Sequence, residues 1–292
     1  MQIKKLIRKI RELYRIYPLP GSIAAVSLAF SLSKLCSLML KILSESILKD
    51  YLIQCGIILS AWLVVLLLGY QWCYRRGSAG KTILAGLPLI LLMGYSLVST
   101  MYSAFSFSSV KWLPVEGIVL GILKLFAIGF LEESLFRGIV ANSLGIRYGK
   151  DAGGVWLAVI LSGLLFGVFH FINISVGVSL RSVLVQSVTA CIFGLYFAAI
   201  YFRGGNIWVM ILIHALFDSP GLFRTLFTVT EITQIEAINE SSFEGWYFYP
   251  VFLILTVFLL RREKMSEITA NICSCAKEDE SFNSCIDKVH RS

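Results

Sequence analysis

The sequence predicts an all-α polytopic membrane helix bundle, with about eight transmembrane helices behind an N-terminal amphipathic interfacial helix. Three observations predict it. Of the 292 residues, 57% are hydrophobic and only 15% are charged. The mean hydropathy is +0.77, far above that of a soluble domain. The apolar residues are gathered into stretches close to the ~20 residues that cross a ~30 Å hydrocarbon core. The formal charge of +8 does not indicate a nucleic-acid-binding domain. Its basic residues lie between hydrophobic segments, where the bias of Lys and Arg toward the inner side of a membrane accounts for them. The bilayer is therefore an expected partner and nucleic acid is not.

Residues 1–20 form the interfacial element. Ile3, Leu6, Ile7, Ile10, Leu13, Tyr14 and Tyr17 recur at helical spacing, with Lys4, Lys5, Arg8, Lys9, Arg11 and Arg15 between them. Pro18 and Pro20 separate this helix from the first apolar stretch, and no short apolar region with a cleavage site follows, so it reads as a retained segment. Residues 21–262 form the transmembrane domain, with apolar stretches near 22–43, 51–73, 82–101, 117–143, 155–173, 182–202, 206–221 and 247–260. Lys34 falls near the middle of the first, which implies a tilted or shifted span. With an inner N-terminus, only Lys34, Lys41, Lys49, Lys111, Lys124, Arg181 and Arg224 lie away from the inner side, so both termini are expected in the cytoplasm. The outer segment from Leu222 to Gly245 carries Glu231, Glu236, Glu240 and Glu244 and reads as a polar, partly helical surface. Residues 263–292 are a polar tail with a Lys277-Glu278-Asp279-Glu280 cluster, expected to be disordered. Its Cys273, Cys275 and Cys285 match no zinc spacing and are expected to stay reduced in the cytoplasm. No internal repeat and no second soluble domain is apparent.

The fourth stretch carries Glu132-Glu133-Ser134-Leu135-Phe136-Arg137. A charge at the bilayer centre costs about 2.5–3.5 kcal/mol on insertion scales, so ionisable groups there suggest function. Glu133 and Arg137 are four apart in the favourable acid-first order and can neutralise each other. Glu132 points about 100° away and needs a partner from another helix. His170, His214 and Asp218 are the other unusual intramembrane residues. Counted from the inner turns at Gly145–Gly154 and Gly204–Gly205, Glu132 and His170 lie about 20–24 Å deep, His214 about 14 Å and Asp218 about 20 Å. Three helices thus deliver Glu, His, His and Asp to overlapping depths. His214 and Asp218 share a face, so Asp218 can accept from a ring nitrogen and fix the tautomer of His214. Phe166, one turn before His170, can wall the site, although a core aromatic there would need no functional reason.

In order, Glu132-Glu133-x-x-x-Arg137, Phe166-x-x-x-His170 and His214-x-x-x-Asp218 resemble the three motifs of the CAAX protease and bacteriocin-processing family of intramembrane endopeptidases, also called the Abi family. The stretch from Phe193-Gly194-Leu195-Tyr196 through Gly204-Gly205-Asn206-Ile207-Trp208 resembles that family as well, and the resemblance covers about a third of the chain within the motif-bearing core 117–221. It implies a helical membrane enzyme that cleaves peptide bonds with water activated by a glutamate and a histidine, without a metal or other cofactor. Carried over, Glu132 is the general base, His170 holds the same water, and His214 with residue 218 faces the oxyanion; Glu133, Arg137 and Phe166 support them. The expected partner is a membrane-associated peptide or a lipidated C-terminus, in a prokaryotic plasma membrane. Asp218 departs from the family, which commonly has Asn there, an amide able to donate to an oxyanion. Three other readings compete. Glu132, His170, His214 and Asp218 are possible zinc ligands, though no standard spacing joins them. The same groups could form an ion or proton path in a transporter, but no repeated halves are visible. They could also be helix glue in a catalytically silent immunity or scaffold protein.

Overall fold

The computed structural model describes residues 2–106, 110–240 and 246–289. Those residues are overwhelmingly helical. In chain order the helices are α1 (Gln2–Ile16), α2 (Pro18–Met39), α3 (Ile47–Leu68), α4 (Ala79–Ser106), α5 (Val115–Glu133), α6 (Asn142–Tyr148), α7 (Ala152–Phe169), α8 (Leu180–Gly204), α9 (Ile207–Phe227), α10 (Gln234–Asn239), α11 (Tyr249–Leu259) and α12 (Arg262–Val289). A π-helical stretch, Ser134–Ala141, joins α5 to α6 without a break. A 3-10 turn, His170–Val176, follows α7. Among the described residues there is no strand, only an isolated antiparallel bridge between Trp112 and Thr228.

Among the described residues, six helices are long and apolar enough to cross a membrane: Pro18–Ile42, Ile47–Leu68, Ala79–Ser106, Ala152–Val176, Leu180–Gly204 and Ile207–Phe227. The chain is a multi-pass membrane protein. The expected count of eight is approximate for two physical reasons. α5 carries Glu116, Lys124, Glu132 and Glu133, which lower its apolarity, while α11 has only 11 residues. Leu59, Leu84, Leu91, Val98 and Leu212 point outward along the spans, as an apolar solvent permits. Pro220 lies inside α9 and cannot donate to the carbonyl of Leu216; the Ser219 hydroxyl donates to that oxygen at 2.8 Å instead.

Glycine sets the closest helix approaches. A Cβ on Gly129 of α5 would lie 2.8 Å from the Ile211 carbonyl of α9, and one on Gly121 would lie 2.6 Å from the Leu226 carbonyl. Between α7 and α8, a Cβ on Gly167 would meet the Ser187 carbonyl at 2.6 Å. Small residues let backbones touch where no hydrophobic force draws helices together.

Two expectations need revision. α1 is helical as its periodicity requires, but it is also docked: Arg11 donates through Nε and Nη2 to the carbonyls of Leu67 and Leu66, both at 2.8 Å. These belong to the last turn of α3, where carbonyls lack helical partners. Buried Tyr14 donates to Ser143 Oγ at 3.0 Å. The larger correction concerns the tail. Arg262 begins a helix rather than a disordered segment, because Met265, Ile268 and Ile272 recur at helical spacing and are buried against the bundle. The side chains of Glu278, Asp279, Glu280 and Cys285, and all of His290, lie outside what the structure describes.

Candidate active site

Three helices and a turn build the site. The end of α5 brings Glu132 and Glu133, the π-helical stretch brings Arg137, the end of α7 and its 3-10 turn bring Phe166 and His170, and α9 brings His214 and Asp218. π-Helical turns are rare and occur mostly at functional sites. Here one begins at the residue after the acidic pair.

Glu133 and Arg137 are fully buried, and Arg137 Nη1 donates to Glu133 Oε1 at 2.9 Å. The pairing read from the four-residue spacing is present, on π-helical rather than α-helical backbone. Two rings hold the guanidinium, with Cζ 4.6 Å from the Phe166 centroid and 5.0 Å from that of Phe197. The cation is thereby offered π density by two rings and is fully buried. The same Glu133 oxygen accepts from His214 Nδ1 at 2.7 Å. Glu133 is thus the hinge of the arrangement, with Arg137 on its own helix and His214 on α9.

This changes one expectation. The Nδ1–H of His214 is taken by Glu133, not by Asp218 on the same helix face. Asp218 Oδ2 and Glu132 Oε2 both lie 3.5 Å from His214 Nε2. Glu132 accordingly finds its partner on another helix, as its direction required. The close approach at Gly129 explains the exchange, since it carries Glu133 within hydrogen-bond reach of α9. A glycine one helical turn ahead of Glu133 was the available sequence signal; read alone, it looks like any small residue in a membrane helix.

His170 Nδ1 donates to the Phe166 carbonyl at 2.8 Å. That bond leaves Nε2 as the ring's acceptor. The Phe166 ring meets His170 and His214 edge-on, at 5.1 and 6.0 Å between centroids. Phe166 therefore packs on Arg137 and on both histidines at once.

Glu132, His170, His214 and Asp218 line one cavity of about 580 Å³, along with Met93, Phe193 and Tyr249. Asn173 and Gln186 also line it, joined by a 2.7 Å hydrogen bond from Asn173 Nδ2 to Gln186 Oε1. Sequence reasoning missed this pair, because a lone Asn in a turn and a lone Gln in a helix have no spacing relation. Among the described residues, no three His, Cys, Asp or Glu side chains are arranged to hold a metal ion. The arrangement offers a carboxylate and an imidazole nitrogen to a bound water. It also holds a second imidazole, fixed on one side by a buried ion pair, with one nitrogen turned toward two carboxylates.

Residues 114–219 match the family described as Rce1-like: Type II CAAX prenyl endopeptidase Rce1-like. The match bears out the family resemblance over about a third of the chain, and it spans all the site residues from Glu132 to Asp218. The matched family is one of proteases. No curated protein and no solved structure matches the chain.

Proposed function

We propose, starting from the similarity of residues 114–219 to CAAX endopeptidases, that the chain hydrolyses a peptide bond of a membrane-associated peptide or lipidated C-terminus by glutamate-activated water. One observation carries the reading: Glu132, His170, His214 and Asp218 come from different helices to a single cavity of about 580 Å³, large enough for a peptide segment. Glu132 takes a proton from the attacking water and passes it to the leaving amide nitrogen. His170, anchored through Nδ1, accepts the water's other hydrogen at Nε2 and orients its lone pair toward the scissile carbonyl. His214 acts as the imidazolium, with carboxylates at both nitrogens: its Nε2–H donates to the oxyanion while its Nδ1–H donates to Glu133, which keeps the ring in place. Asp218 accompanies His214 and orients it. Glu133 and Arg137 are positioning residues, because neither lines the cavity, and Phe166 walls it beside both histidines. The substrate enters from the bilayer, and the ends of the chain lie in the cytoplasm of a prokaryotic cell.

The test is cleavage of membrane-tethered peptides, with and without a prenylated C-terminus, by detergent-solubilised protein. The expected outcome is that Glu132→Gln and His170→Ala each lose about 10²–10⁴ of the rate while keeping the wild-type melting temperature, and that a strong zinc chelator changes nothing. Loss with the chelator would give the same four groups to zinc. No cleavage by any form, with the variants still acting in cells, would leave the scaffold reading in its place.

A further inference from the structure

A second cavity, of about 210 Å³, lies at the end of the bundle where α3 and α8 finish and α4 and α9 begin. It shares no lining residue with the larger cavity. Arg76, Ser78, Lys81 and Arg203 line it, with Asn271 of α12 on its far side. The loops that form its floor are locked together. Gly77 has φ 85°, and a Cβ there would lie 2.0 Å from the Gly205 carbonyl carbon, while Ser78 N donates to the Gly204 carbonyl at 2.7 Å. The floor is therefore preformed.

Its charge is not balanced. Lys81 and Arg203 share one carboxylate, Glu267 of α12, at 2.7 and 2.9 Å. Among the described residues, no carboxylate pairs with Arg76. Its Nη2 donates to Ser274 Oγ, its guanidinium lies 5.7 Å from the Trp72 ring, and its Nη1 is buried without a hydrogen-bond partner. Three cations thus surround one anion. The 28-residue helix α4 also starts at this cavity and directs its positive end there.

We propose that this cavity binds a phosphate-bearing anion. Guanidinium forks, a lysine, a serine hydroxyl and a helix start suit a tetrahedral, multiply charged group with several acceptor oxygens. A carboxylate is already in place as Glu267 and leaves the excess charge uncancelled. The anion bridges α4, α8 and α12, so its binding fastens the C-terminal helix to the bundle. Its source is either free phosphate or the headgroup of an anionic lipid at the membrane surface.

Hydrogen exchange on the wild-type full chain in detergent tests this without any substitution. Inorganic phosphate, dioctanoyl phosphatidylglycerol and dioctanoyl phosphatidylcholine are added separately, with sodium chloride at matched ionic strength. Residues 71–82 and 203–206 are expected to exchange at least several-fold more slowly with phosphate or phosphatidylglycerol, saturably, and not with chloride. Protection by both assigns the site to the phosphate group itself. Protection by phosphatidylglycerol alone assigns it to a lipid headgroup, and protection by phosphate alone to the free ion. Arg76→Gln should weaken the protecting probe at least tenfold, and Lys150→Gln, away from the cavity, should leave it unchanged. Equal protection by all additives, protection by none, or unaltered affinity in a folded Arg76→Gln protein overturns the proposal.

Discussion

Replacing Arg137 with Met keeps the length of the side chain and removes its charge. In the wild type Arg137 Nη1 lies 2.9 Å from Glu133 Oε1, with both side chains at 0% exposure. Breaking a buried pair by removing one partner costs about 3–5 kcal/mol, because the other charge is left uncompensated. The guanidinium also loses the Phe166 and Phe197 rings, an interaction worth about 0.5–2 kcal/mol. His214 still donates to Glu133 and offsets part of the loss. We therefore expect Arg137→Met to lose about 4 kcal/mol, nearly a thousandfold in the folding equilibrium. Arg137→Lys should lose less, since it keeps the charge but not the planar fork. The decisive comparison is the double variant Glu133→Gln/Arg137→Met, which buries no orphan charge and retains an amide oxygen for His214 Nδ1. It should be more stable than Arg137→Met, with a coupling of at least about 2 kcal/mol in the mutant cycle. The assay is reversible unfolding in mixed detergent micelles, read by fluorescence of the tryptophans. Arg137→Met within about 1 kcal/mol of wild type, or an additive double variant, would refute a structural ion pair at this position.

Three further outcomes are expected. Gly129→Ala places a methyl 2.8 Å from the Ile211 carbonyl and 3.4 Å from Ala215 N, and should cost about 1–3 kcal/mol while lowering peptide cleavage as Glu133 is drawn away from His214; an unchanged melting temperature would contradict it. Asp218→Asn should retain cleavage within a few-fold, since an amide can orient His214 and donate to an oxyanion. A loss above about 100-fold would show that the carboxylate itself acts in the reaction. Hydrogen bonds from Lys81 and then Arg203 lower the Glu267 carboxyl from its ordinary 4.5 to about 2. The stability this carboxylate contributes is therefore complete above about pH 4.5 and lost as the pH falls toward 2. The difference in melting temperature between wild type and Glu267→Gln should narrow over that range, from a gap of no more than about 1 kcal/mol for so accessible a network. A gap independent of pH would deny the linkage.

The spans were legible because crossing a bilayer is a demand on composition and length, and both can be read from a sequence. The exceptions are physically coherent. α5 carries four charged residues, Glu116, Lys124, Glu132 and Glu133, more than either other site-bearing helix, so the groups proposed for the chemistry erode the signal that would mark it as a span. α12 was missed for the opposite reason. Its apolar positions Met265, Ile268 and Ile272 are few among polar neighbours, and a narrow stripe in a terminal segment looks like a tail until the surface it covers is known. The π-helical stretch had no signature either, since a change from i+4 to i+5 bonding depends on tertiary packing more than on residue type.

For the site, sequence spacing resolved what lies along a helix and not what lies between helices. Glu133 with Arg137 and Phe166 with His170 each follow from positions four apart, and both contacts are present. Depth counting placed His214 near Glu132 but could not give the rotation of α9 about its axis, and on that rotation depends which carboxylate takes Nδ1. Gly129 decides it by letting α5 approach until Glu133, not Asp218, makes the 2.7 Å contact. The consequence reaches the chemistry. With Nδ1 committed to a carboxylate that Arg137 already neutralises, His214 Nε2 is the ring atom left for a reacting group, and Glu132 stays free of the ion pair and accessible from the cavity. In the proposed reaction the adjacent glutamates thus divide the work by direction alone. One is sealed into the scaffold that orients the histidine, and the other faces the space where a peptide and a water would meet.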